Sequence, residues 1–103
     1  MREKLIESAL VREVEARGGL CLKFVSPGRR GVPDRICLFP GGRVVFVELK
    51  QKGKKPRPDQ EALLSSLSAL GLDVHVVDEV SQIRRVVDGT GGISESGCGM
   101  VSI

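Results

Sequence analysis

The segment Arg35–Lys50, RICLFPGGRVVFVELK, limits the possible folds more than any other part of the chain. Two apolar runs, RICLF and RVVFVEL, flank Pro40-Gly41-Gly42, which is the pattern of an antiparallel hairpin with a short turn. If those three residues form the turn, Phe39 pairs with Arg43, and the same register places Asp34 opposite Glu48. Side chains alternate across a strand, so Glu48 and Lys50 share one face while Leu49 points to the other. Directly opposed residues bring their Cβ atoms to about 4.5–5.5 Å. Two carboxylates so close repel unless a cation or a proton lies between them. A four-residue turn would shift this register by one position. The second run is apolar on both faces until Glu48, as expected of a strand with neighbours on both sides.

Around this hairpin the chain predicts helix, strand, strand, strand, helix, strand, helix. Residues 2–17 place Ile6, Leu10, Val11 and Val14 in one arc at about 100° per residue, with Glu3 and Glu7 in the same arc. Gly18-Gly19 ends that helix. LCLKFV (20–25) alternates as a strand does, and SPGRRGVP (26–33) is a loop. Pro58 opens a helix over 58–70, with Gln60 on the face of Leu63, Leu64 and Leu67 and with Leu70 continuing that face. LDVHVV (72–77) is a further strand, and Asp78 is an expected N-cap for a helix over 79–88. Residues 89–103 are rich in Gly and Ser and are expected to form a flexible tail after a folded unit at 1–88. Three successive strands suit a meander. The fourth, reached through a helix, suits parallel pairing. The expected class is α/β, a small mixed sheet flanked by helices.

The 103 residues allow one core, and no apolar run approaches the 18 or so residues of a membrane span. The charged N-terminus does not read as a signal peptide. Cys21, Cys37 and Cys98 are widely spaced and His75 is the only histidine, which disfavours structural zinc and suits reduced thiols. His75, within a strand, reads as structural.

Charge is segregated. Between Lys23 and Arg57 lie ten of the sixteen basic residues and only two acids, Asp34 and Glu48. A positive field of this kind suits a phosphate backbone. Two carboxylates with a lysine beside them suit a hard divalent cation such as Mg²⁺, which takes one or two carboxylates plus water and substrate oxygens. The same residues are also compatible with a capping aspartate and an ordinary Glu–Lys surface pair. Aromatic content is 3% with no Trp or Tyr, so stacking platforms for single-stranded bases are poorly provided and duplex or branched DNA fits better.

The pattern G-V-P-D at 31–34, E-L-K at 48–50 and Q at 60, with GG at 18–19 and KFVSPGRRGVPDR at 23–35, resembles the virus-type replication-repair nuclease (VRR-NUC) family of the PD-(D/E)xK superfamily. The likeness is greatest to small stand-alone phage and prophage members. It implies a restriction-endonuclease-like αβββαβ core and a Mg²⁺- or Mn²⁺-dependent endodeoxyribonuclease, acting on branched DNA in the manner of Holliday-junction resolvases. The other reading is a DNA-binding module without activity of its own or dependent on a partner. By the same resemblance Asp34, Glu48, Lys50 and Gln60 are catalytic. Asp34, Glu48, the Leu49 carbonyl and a first-helix acid, for which the setting IESAL favours Glu7, hold the metal. Lys23, Arg29, Arg30, Lys52, Lys54, Lys55 and Arg57 are assigned to DNA phosphates. A homodimer, a cytoplasmic setting in a bacterial or phage-infected cell, no membrane association and no zinc complete the expectation.

Overall fold

The computed structural model describes residues 2–89. The expected tail therefore falls outside the described residues from position 90 onward, as does Cys98. The elements are α1 (Glu3–Ala16), β1 (Leu20–Lys23), β2 (Arg35–Leu38), β3 (Val44–Leu49), α2 (Pro58–Ala69), β4 (Asp73–Val77) and α3 (Ile83–Asp88), with a 3₁₀ turn at Val80–Gln82 leading into α3. The four strands form one sheet in the order β1-β2-β3-β4. β1–β2 and β2–β3 are antiparallel, and β3–β4 is parallel.

The hairpin register is the one that Pro40-Gly41-Gly42 implies. Arg35 pairs with Val47 and Leu38 with Val44, and the Phe39 N–H donates to the Arg43 carbonyl at 2.9 Å. Gly41 and Gly42 both take φ above +90°, a conformation open to glycine at little cost. The turn chemistry thereby fixes which side chains share a face.

One sheet face is the core. Ile6, Leu10 and Val14 of α1, Ile83, Val86 and Val87 of α3, and Cys37, Val45, Val47, Leu49 and Val77 of the sheet form one buried cluster. Each fully buried aliphatic side chain contributes roughly 1.5–3 kcal/mol relative to exposure. The other face carries Ile36, Phe46, Glu48 and Val74, and α2 packs there through Leu64 and Gln60. Leu20 and Leu22 of β1 and Val44 at the start of β3, on that same face, stay exposed.

Two local expectations change. Leu70 is 76% exposed rather than part of the packed face of α2, because the helix has ended at Ala69. Asp78 does not cap the last helix. Instead the Gln82 side-chain oxygen accepts the Asp78 and Glu79 backbone N–H groups, and the Asp78 carboxylate accepts the Gly53 N–H. Glutamine three positions into a helical turn can reach back to the orphan donors at its start, leaving Asp78 available to the facing loop.

Candidate active site

The antiparallel topology brings the end of β1, the start of β2 and the end of β3 to one edge of the sheet. Pro33, buried, precedes Asp34, whose carbonyl accepts the Phe24 N–H at 2.9 Å as the ladder begins. The β2–β3 register continued by one step sets Asp34 opposite Glu48 on the α2 face. The Asp34 carboxylate accepts the Leu49 backbone N–H at 2.8 Å through Oδ2. That contact fixes the position of one carboxylate oxygen against the next strand.

Glu48 is 1% exposed. Its Oε2 accepts a hydrogen bond from Gln60 Nε2 at 2.9 Å and lies 3.3 Å from Lys50 Nζ. Its Oε1 is buried with no hydrogen-bond partner, the only such side-chain atom among the described residues. An ionised carboxylate with an orphan oxygen in this setting is costly. Burial first, and then the charge of Asp34, push the Glu48 carboxyl up to about 7, while Lys50 opposes the shift.

Gln60 is oriented from both sides. Its Oε1 accepts the Arg57 backbone N–H at 3.0 Å, which satisfies a donor at the start of α2 and turns the amide NH₂ towards Glu48. Pro58 at the first helical position needs no such partner. The spacing Arg57 to Gln60 is that of a capping box, a signal present in R-P-D-Q that the inward-facing assignment of Gln60 did not use. Gly31, at φ +89°, brings the loop before Asp34 against this helix start. A Cβ there would lie 3.0 Å from the Asp59 carbonyl oxygen.

Glu7 is not brought into this cluster. Alternation along β2 sends Arg35 to the face opposite Asp34, where its guanidinium holds Glu7 at 2.9 Å and donates to the Cys21 carbonyl. The first-helix acid whose charge reaches Glu48 is Glu3, one turn earlier and exposed, and its effect is weaker than that of Asp34 or Lys50. No group of three or more His, Cys, Asp or Glu side chains gathers among the described residues in a way that could hold a metal ion. The carboxylates that meet at this end of the sheet are those of Asp34 and Glu48.

The basic residues flank the same edge. Lys23 ends β1, Arg29 and Arg30 lie in the loop before Asp34, and Lys52, Lys54, Lys55 and Arg57 lie between β3 and α2. All seven are exposed. Lys52 pairs with Glu79 at 2.7 Å and Arg57 with Asp59 at 3.2 Å, while Arg30 stands 4.0 Å from Asp59. His75 is buried on the core face, 3.0 Å from Asp73 and apart from this edge. No described helix is long and apolar enough to cross a membrane.

The comparisons agree with this geometry. No family model matches the sequence. The chain is 53% identical over 90 residues to the protein named "Putative nuclease p44" of Acyrthosiphon pisum secondary endosymbiont phage 1, covering 85% of this chain and 97% of the relative. A solved structure described as a VRR_NUC domain superposes with a TM-score of 0.78 at 31% identity, covering 84% of this chain and 94% of its own. A mixed sheet with helices on both faces, the P-D and E-L-K edge and both likenesses place this chain in the VRR-NUC family of nucleases.

Proposed function

We propose that the protein is a Mg²⁺- or Mn²⁺-dependent endodeoxyribonuclease that hydrolyses phosphodiester bonds in branched duplex DNA. The observation that carries this reading is Glu48, buried at a sheet edge with Oε1 unpartnered and Asp34 across the ladder. An orphan carboxylate oxygen, a raised pKa and a second carboxylate together suit a divalent cation, which would satisfy the oxygen and relieve the repulsion. Two protein carboxylates match the sparse protein ligation of Mg²⁺. Asp34, Glu48 and the Leu49 carbonyl would hold it. Bound there, it would supply Lewis-acid stabilisation of phosphoryl charge and a lowered pKa for water.

The chain's own residues divide the remaining work. Gln60 and Lys50 anchor Glu48 Oε2, so that Oε1 remains available to the site. Lys50, only 17% exposed in its side chain, offers a compact ammonium to charge developing on the phosphate. The reaction is hydrolysis: a water oxygen bonds to phosphorus and the bond to the 3′ oxygen breaks. Lys23, Arg29, Arg30, Lys52, Lys54, Lys55 and Arg57 serve the phosphate backbone, positioning DNA without reading its sequence. Low aromatic content and a flanking basic loop favour shape-directed recognition of duplex arms. Two copies acting together would cut paired strands of a junction; sedimentation as a dimer at working concentration would support that assembly, and a monomer would count against it.

The test is purified protein with Mn²⁺ and a panel of a four-way junction, a flap and a plain duplex. The expected result is cleavage of branched DNA ahead of plain duplex, abolished by Glu48→Ala together with Lys50→Ala. No cleavage by the wild type, or unchanged cleavage by the double variant, contradicts the proposal. Junction binding that falls steeply with salt and ignores divalent cations would favour the DNA-binding module instead.

A further inference from the structure

Cys21 and Cys37 lie directly opposite each other on β1 and β2, and their sulfur atoms are 3.8 Å apart. The Phe24 N–H donates to the carbonyl of Asp34, its counterpart across the ladder, so that pair is hydrogen-bonded. Antiparallel pairs alternate, and three steps along the ladder the Cys21–Cys37 pair is of the non-hydrogen-bonded kind. Such pairs bring their Cα atoms to about 4.5 Å and their side chains closest, within the separation that a disulfide spans. The two thiols therefore need side-chain rotation and no change of register to bond.

The pair is also differentiated. Cys21 sits on an edge strand and is partly exposed, whereas Cys37 is fully buried in the core. Arg35 lies beside Cys21, donating to its backbone carbonyl at 2.9 Å. A hydrogen bond from the Cys37 thiol, with the Arg35 charge as a smaller contribution, lowers the Cys21 pKa; Cys37 is shifted upward. This is the arrangement of an attacking thiol with a resolving thiol behind it.

We infer that Cys21 and Cys37 form a redox modification site that reacts with small disulfide oxidants and closes to an intramolecular cross-strand disulfide. Cys21 as thiolate attacks glutathione disulfide, forming a mixed disulfide and releasing one glutathione thiolate. Cys37 gives up its proton and attacks the Cys21 sulfur, expelling the second glutathione. Two protein thiols are oxidised, one glutathione disulfide is reduced to two glutathione thiols, and the protons balance. The ring so closed contains the loop at 26–33, with Arg29 and Arg30, and Asp34 at the start of β2.

The experiment uses the full chain with Cys98→Ser, so that only this pair titrates. After treatment with glutathione disulfide, alkylation-free denaturation and thiol counting should show loss of both thiols, with no added glutathione mass and no covalent dimer. Dithiothreitol should restore both. Adding Cys21→Ser should leave the Cys37 thiol unreacted under the same treatment. Two thiols surviving in the Cys98→Ser protein, a persistent glutathione adduct on Cys21, or an intermolecular disulfide would overturn the inference.

Discussion

The two ends of β3 use the same residue types to opposite effect. At its start, Arg43 donates to Asp73 at 3.3 Å and to the Val86 and Val87 carbonyls that end α3, and it stacks over Phe39 at 4.8 Å. Asp73 also takes His75 at 3.0 Å, and that hydrogen bond, aided by Arg43, holds its carboxyl below the ordinary 3.8. At its end, Glu48 has a lysine and an amide on one oxygen, a second carboxylate opposite and nothing on Oε1. A satisfied carboxylate is a structural pin. An under-satisfied one stores a preference for an added positive charge, which is what a cation site requires.

The largest expected effect separates the two ends by function. Glu48→Gln should reduce DNA cleavage by on the order of a thousandfold, the scale of losing a principal electrostatic group, while the melting temperature in the absence of metal stays level or rises. Arg43→Ala should do the reverse. It strips charged hydrogen bonds from Asp73 and α3, costing roughly 2 kcal/mol in denaturant unfolding, and leaves cleavage per folded molecule close to wild type. Equal loss of activity from both substitutions would erase the distinction.

The pH dependence should differ in sign. Glu48, raised from 4.5 to about 7 in the folded protein, binds its proton more tightly folded than unfolded. Its contribution is fully present below about pH 4.5 and is lost as pH rises towards 7, a fall on the order of 3 kcal/mol without divalent cations. Asp73, lowered on folding, contributes above its ordinary value and loses that contribution as pH falls through the folded pKa. Unfolding curves from pH 4.5 to 8 should therefore show a decline in the wild type that Glu48→Gln flattens. A profile unchanged by that substitution would count against the buried, unsatisfied state of Glu48.

The smallest effect concerns the two acids of α1. Glu7→Gln should cost about 1 kcal/mol of stability by loosening Arg35, with cleavage within about threefold of wild type. Glu3→Gln should leave stability unchanged and alter the divalent-cation dependence of cleavage, because its charge is the one felt at Glu48. A large loss of cleavage in Glu7→Gln at unchanged stability would return Glu7 to the site.

Much of this candidate site is legible in the sequence. Pro40-Gly41-Gly42 has few ways to turn a chain, so the facing of Asp34 and Glu48 followed from turn chemistry and strand alternation. Gln60 was singled out by the family resemblance, and helical spacing agreed with it by placing this polar residue on an apolar face. The acid of α1 was not, since Glu3 and Glu7 are one turn apart on the same arc. What separates them is Arg35, which alternation sends to the far face to claim Glu7. Nor could spacing show that Gln82 would take the Asp78 and Glu79 N–H groups while the Asp78 carboxylate turned to the Gly53 N–H of a loop distant in sequence. The cross-strand cysteines became a pair only when β1 acquired a register against β2.

The most direct measurement is calorimetric titration of Mn²⁺ into wild type and Glu48→Gln at pH 8. The wild type should bind, and the variant should lose at least tenfold in affinity while remaining folded by circular dichroism, as expected when an orphan carboxylate oxygen holds the ion. Equal binding by the two proteins, or none by the folded wild type, would contradict the account.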